Sequence, residues 1–323
     1  GLRVDQIFID AKKYYDVPVW NERNYSTLFS DFEMQNIGNQ ILTNPKLNYL
    51  NYSAQTGISS KIGEAFQINA SYILSQRAPN TSELFSDGLH HSIAAIEYGS
   101  LSLEKEINHK ILFSFSKETG KFIWNFEPFI SKSFDYIYIN PTKLQQTIRG
   151  AFPVWEYNAT DVFLTGADVN SSFYIDSRFK LDLGVSYTFA QDVLKKQPLI
   201  LMPPLNTFQK FKFKPRKGSW DLELVNHFSS KQNRYPNTNF PVSLIQEGKL
   251  ISEIVDISTP PAGFQKLDLY FSINLESKTK LKSQIRISVQ NLTNVDYRNY
   301  LNRMRFYASE VGRNFQIQFT LNY

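Results

Sequence analysis

The sequence predicts an all-β fold, an antiparallel transmembrane β-barrel wall of about twelve strands, and three observations predict it. Segment after segment alternates apolar and polar side chains; no run of about 18 apolar residues occurs; and the connections between segments alternate between short and long. Alternation at period two sends successive side chains to opposite faces of a strand. The missing apolar run excludes a transmembrane helix, so a closed barrel is the remaining way to satisfy every backbone group in lipid. A soluble half-buried strand alternates too, so number, length and spacing of the segments have to decide.

In chain order, strands are expected at 2–14, 47–61, 65–76, 104–117, 121–138, 161–175, 178–190, 206–214, 219–230, 264–276, 281–291 and 312–323. The two faces separate in "FQINASYIL", "KILFSFSK" and "DLELVNHF", the last with Asp221, Glu223 and His227 on the polar parity. Segment 178–190 sets Phe179, Leu181, Leu183, Val185, Tyr187 and Phe189 against Lys180, Asp182, Gly184, Ser186 and Thr188. Segment 264–276 sets Leu267, Leu269, Phe271, Ile273 and Leu275 against Lys266, Asp268, Tyr270, Ser272 and Asn274. In the next, Ile285, Ile287 and Val289 oppose Gln284, Arg286, Ser288 and Gln290. The final segment opposes Phe315, Ile317, Phe319 and Leu321 to Asn314, Gln316, Gln318, Thr320 and Asn322, and closes on Tyr323. Asn226, Thr165 and Ser171 are exceptions, polar residues on the apolar parity.

One face is always wet and sometimes charged, and many segments have the length a tilted strand needs to cross a bilayer. Short connections are "KIGEA", "KETGK", "IDSRF", "KPRKG" and "ESKTK"; long ones run over 17–46, 77–100, 139–160, 191–205, 232–262 and 293–311. This matches an outer-membrane barrel, with brief periplasmic turns and extended external loops. Aromatics near strand ends, Phe122, Trp124, Tyr136, Tyr138, Trp220 and Tyr323, are expected in interfacial girdles, with core packing the other reading of each.

Composition narrows the function. The 323 residues include 26 Phe and 18 Tyr but only 4 His, and the absence of cysteine excludes disulfides and thiolate metal sites. The formal charge of +5 comes from Lys and Arg scattered along the chain rather than gathered into a stripe, which argues against a nucleic-acid partner. There is no G-x-S-x-G, no H-E-x-x-H and no phosphate-cradling glycine loop, so no enzyme is expected. The chain starts at Gly1 without an initiator Met or an apolar leader, which reads as a processed or cut end.

Three stretches resemble the TonB-dependent outer-membrane receptors, particularly those of Bacteroidetes-type bacteria. "SQRAPNTSELFSDG" at 75–88 is similar to their strand-to-loop passage with Arg-Ala-Pro and Glu-Leu-Phe elements. "EYGSLSLEKE" at 97–106 resembles the E-x-G-N-P-x-L-K-P-E motif, keeping Glu97, Gly99, Leu103 and Glu106 while Leu101 and Lys105 stand where the prolines would. The stretch from Val289 to Tyr323 resembles the penultimate strand, last external loop and closing strand, through Asn291 to Asn294, Tyr297 and Gly312 to Phe315. The terminal aromatic also resembles the signal by which such barrels are recognised for insertion. The resemblance implies that residues 1–323 are the C-terminal portion of a 22-stranded barrel. The partners it implies are an N-terminal plug-plus-barrel portion of the same receptor, TonB acting through that portion, and outer-membrane lipid. A twelve-stranded barrel closing on itself is the structural alternative.

The implied function is TonB-dependent uptake of a scarce nutrient, a metal ion or a metal chelate such as a siderophore, haem or zinc. No resident cofactor is required; a bound metal or chelate would be cargo. The alternative is a barrel acting as passive pore, adhesin or scaffold for a surface lipoprotein. The sharpest candidate site is "SDGLHH" on an external loop, where Asp87, His90 and His91 carry metal-ligand chemistry, against the default of an exposed polar loop. Trp155, Tyr157, Tyr300 and Tyr307 are candidates to stack on a siderophore, haem or glycan, with packing between loops the competing reading.

Overall fold

The computed structural model describes residues 1–16, 19–38, 40–246, 249–275 and 282–322. Twelve strands form one antiparallel sheet in which each pairs with its neighbours in sequence. They are β1 (Leu2–Asp10), β2 (Lys46–Ile62), β3 (Phe66–Arg77), β4 (Glu106–Lys117), β5 (Phe122–Thr147) and β6 (Gly150–Tyr174). They continue as β7 (Phe179–Asp192), β8 (Asn206–Phe213), β9 (Trp220–Ser229), β10 (Phe264–Leu275), β11 (Lys282–Gln290) and β12 (Asn314–Asn322). Among the described residues, β1 pairs only with β2 and β12 only with β11. The expected turn at 276–280 and the closing Tyr323 lie outside the described residues.

Burial in this sheet is inverted. Asp268 is 2% exposed and Ser133 1%, whereas Val185 and Ile287 are 40% and 44% exposed. The polar face is concave, because one cavity of about 650 Å³ is lined from six successive strands, including Asn69, Ser114, Asn125, Asn170, Asp182 and Lys210. Its charges are paired, some along one strand and some between strands. Asp182 meets Lys180 at 2.7 Å and Lys210 at 3.3 Å; Glu223 meets Lys212 at 2.8 Å and Arg286 at 3.2 Å; Asp268 meets Lys266 at 2.9 Å. Buried carboxylates are tolerable because each has a counter-charge and hydrogen bonds. At Gly184 a Cβ would collide with the Phe208 ring, which lies across that position, so any other residue there would have to displace the ring.

The apolar face carries an aromatic band at the short-turn end. Phe122 meets Phe173, and the rings of Phe179, Phe213, Trp220 and Phe271 follow one another across β7, β8, β9 and β10 at centroid spacings of 4.9, 5.5 and 5.8 Å. The polar exception at Asn226 is also accounted for. Gln265 donates to Asn226 at 2.8 Å, Asn226 donates to Gln209, and Gln209 donates to Thr207 at 2.9 Å. The side chains on this otherwise apolar parity satisfy one another.

Three expectations are corrected. The stretch 139–160 is not a free loop: β5 and β6 continue through it as one long hairpin, with register shifts between Ser133 and Tyr136 and between Pro141 and Lys143. Asp135 sits there at φ 51°, and such bulges reset the alternation on which the sequence reading relied. Tyr136 and Tyr138 belong to no girdle; both pack on Val162, Ala190 and Leu199, and Lys195 donates to the Tyr138 hydroxyl at 2.5 Å. The N-terminal strand likewise ends at Asp10, and Tyr14–Asp16 joins Glu33–Ile37 and Gln40–Thr43 in a separate small sheet.

Candidate ligand-binding loop layer

At the long-loop end, the connections pack into a layer with its own core. One cluster joins Trp20, Tyr25 and Ile41 of the first loop to Leu84, Leu101 and Leu103 of the second and to Ile137 of β5. Another joins Ala95, Trp155, Phe240 and Ile257, with Leu144, Leu201 and Phe306 against it, so five connections meet. Here burial is conventional: Trp20 is 0% and Trp155 1% exposed.

The motif residues build the junction between this layer and the sheet. Arg77 at the end of β3 holds Glu106 at the start of β4 at 2.7 Å and Glu83 at 2.8 Å. Glu83 lies in a short helix, α1 (Thr81–Phe85), and forms a capping box with Asn80: the Asn80 amide donates to Glu83 at 2.7 Å and the Glu83 amide to Asn80 at 2.9 Å. Gly99 runs so close to this helix that a Cβ would lie 2.5 Å from the Leu84 carbonyl carbon. The Gly99 amide donates to Ser86 at 2.6 Å and the Ser100 amide to Glu83 at 2.8 Å. Leu103 is buried in the first cluster, and its carbonyl accepts from the Tyr49 hydroxyl at 3.3 Å.

The expected site residues do not converge on one point. Asp87 and His90 lie in a short strand, Asp87–His90, paired with Ala95–Tyr98. His90 Nε2 is 3.7 Å from Glu97, whereas His91 Nε2 is 2.8 Å from Arg149. Among the described residues, no group of three His, Asp or Glu side chains is placed to hold a metal ion. Trp155 and Tyr300 are buried, at 1% and 5% exposure, and Tyr157 is half-buried against the first cluster. Tyr307 alone of the four aromatics is exposed, and its hydroxyl donates to the Ala94 carbonyl at 3.1 Å.

Sequence reasoning missed two arginines of the last loop. Arg303 pairs with the buried Glu97 carboxylate at 2.5 Å and lies 5.4 Å from the Trp155 ring centre, tying the last loop to the second. Arg305 is 4% exposed and donates to the carbonyls of Tyr300 at 2.6 Å and Ile257 at 3.3 Å. Its guanidinium lies over the Tyr300 and Phe306 rings, and burial pushes its pKa below the usual range. Burial also pushes the Tyr300 hydroxyl up. The one sequence signal was Glu97, a motif position whose partner could not be read. A polar cavity of about 400 Å³ also lies in this layer, lined by Glu22 and Arg23, by Tyr98, and by Lys143 to Gln146 with Glu156 of the long hairpin.

No family model matches the sequence, and no curated protein matches it. Solved structures do. The chain superposes on OprC, a copper transporter, with a TM-score of 0.66 at 16% identity, over 89% of this chain and 42% of that one. On the FrpB iron transporter from Neisseria meningitidis the TM-score is 0.56 at 15% identity, over 85% of this chain and 40% of that one. On the siderophore receptor PirA from Acinetobacter baumannii it is 0.56 at 13% identity, over 85% and 42%. These are TonB-dependent receptors, and the fold of this chain is that of their barrel wall, as the motifs implied. The chain spans about 42% of the length of OprC.

Proposed function

We propose that this chain is the C-terminal wall and external loop layer of an outer-membrane receptor that takes up a scarce nutrient, a metal ion or a metal chelate. The observation that carries the reading is a wall apolar outside and ion-paired inside, capped by a packed loop layer, on the fold of copper, iron and siderophore transporters. An apolar exterior suits lipid, and a concave polar face suits a water-filled or plugged interior.

The N-terminal portion of the barrel pairs with the outer edges of β1 and β12, since unpaired backbone groups in lipid cost several kcal/mol each. That portion also brings the plug and its TonB contact. The residues in hand supply capture and wall; coupling to inner-membrane energy belongs to the plug. The test is uptake of copper, iron and ferric chelates by cells carrying or lacking the gene, with and without a protonophore. Energy-dependent uptake of one of these is expected. Uptake that persists without energy identifies a passive pore, and unchanged uptake of all of them removes the metal reading.

A further inference from the structure

The polar cavity of the loop layer is a built site whose chemistry differs from that of a metal centre. Its walls are held from three directions. Tyr98 sits in the short strand Ala95–Tyr98, which runs parallel to β6 through the pairing of Tyr98 with Glu156, and its hydroxyl donates to Gln145 at 3.2 Å. Arg23 reaches over from the first loop and donates to the Gly99 carbonyl and, at 3.5 Å, to the Tyr25 hydroxyl. Gly99 is packed tightly against α1, so the arginine is anchored to a closely held stretch of backbone. The base and one wall are therefore fixed before a ligand arrives, which lowers the ordering cost of binding.

The charges lining this cavity are balanced and of both signs: Glu22 and Glu156 against Arg23 and Lys143. Among the described residues, no ion pair joins Glu22, Glu156 or Lys143 to a partner, whereas the carboxylates of the wall are neutralised in place. Glu22 and Glu156 both act on the Tyr98 hydroxyl, which burial first, then Asp87 and then these two carboxylates push above its ordinary range. The amides of Gln145 and Gln146 add neutral donors and acceptors, and Leu144 is the one aliphatic side chain in the lining. A purely anionic or purely cationic molecule would leave one pair of like charges facing it, and an apolar one would strip water from all four.

We propose that this cavity binds a small zwitterionic ligand of short-peptide size, its carboxylate at Arg23 and Lys143 and its ammonium at Glu22 and Glu156. The volume lies within the range of small-molecule sites. Recognition runs through charge and amide hydrogen bonding with no coordination bond, in keeping with the scattering of Asp87, His90 and His91. The site stands apart from the metal-uptake reading: binding at the loops persists whether or not a metal is imported.

The test is isothermal titration of the full-length protein in detergent with triglycine, with its N-acetylated amide lacking both end charges, and with trehalose as a neutral polar probe. Triglycine should bind at least about tenfold more tightly than either control, and Lys143→Gln and Glu156→Gln should each weaken it about tenfold. Lys143→Arg should keep affinity within about threefold, which separates loss of charge from loss of fold. Lys61→Gln, at the opposite end of the sheet, should change nothing. Equal binding of triglycine and its blocked form, full affinity in both charge variants, or no heat with triglycine would each overturn the assignment.

Discussion

In the twelve-stranded wall, Asp182, Asp268 and Ser272 are buried while Leu183, Val185 and Ile287 lie open; in the loop layer, Trp20, Ile41 and Trp155 are buried as in any water-soluble protein. The same chain therefore obeys two opposite burial rules within a few residues of each other, and the change falls where Arg77 brackets Glu83 and Glu106. The difference teaches that solvent, not composition, sets which face of a strand is inside. In the wall the apolar side chains face outward to what the fold makes lipid, and ion pairs hold the concave side. In the loop layer the hydrophobic effect drives apolar side chains together, and polar groups stay at the edge.

That contrast can be broken from either side. The largest effect is expected from Trp20→Ala, which empties the centre of the first loop cluster, removes the Trp20 contact with Tyr25 and should destabilise the layer by about 3–5 kcal/mol. Hydrogen exchange should rise across 19–44 and 81–103 while β7 to β11 stay protected; deprotection of the wall as well would show that the two regions do not fold under separate rules. Next comes Ile287→Arg, an outward wall position, expected to lose about 2–4 kcal/mol in urea-titrated folding into lipid vesicles. Equal stability of this variant in vesicles would mean that the apolar face does not meet lipid.

Smaller changes sharpen the boundary. Asn80→Ala removes one half of the capping box and should cost about 1 kcal/mol, read as faster proteolysis at 78–90 with the wall intact. The smallest effect concerns acid. Asp256 accepts from the Thr259 hydroxyl and then from the backbone amides of Thr259 and Ser258, at 3.0 and 3.2 Å, which holds its carboxyl below the usual range. A folded pKa below the unfolded one contributes stability above the unfolded value and loses it as pH falls through the folded one. The loop around 239–259 should therefore loosen in acid, and Asp256→Asn should flatten that dependence in pH-resolved hydrogen exchange.

Where alternation was strict, the strands were readable to within a few residues, because a one-residue slip would turn every side chain of a strand to the wrong solvent. Legibility failed at Asp135, where a left-handed residue and a bulge shift the parity, so the long hairpin of β5 and β6 read as two strands with a loop between them. The site was less legible for a simple reason. His90 ends a short strand and His91 opens a 3-10 turn, and the two side chains part there, one toward Glu97 and the other toward Arg149. Trp155 read as an exposed loop aromatic because nothing in its own segment announces that five connections meet over it, and Tyr300 because nothing announces the buried Arg305 guanidinium that lies over its ring. The cavity lined by Glu22, Tyr98 and Lys143 joins residues more than 100 positions apart, with no local pattern to betray it.

The row from Thr207 through Gln209 and Asn226 to Gln265 runs in one direction, each amide donating to the residue before it, so it behaves as a short string of aligned dipoles laid across three strands. Mutating Asn226 alone to leucine would cut the string, leaving Gln265 without its acceptor and the Gln209 oxygen without its donor on an oily surface, a worse outcome than the polar row itself. Such a row has to be exchanged as a set, because each single apolar replacement strands a neighbouring amide before the surface becomes fully greasy.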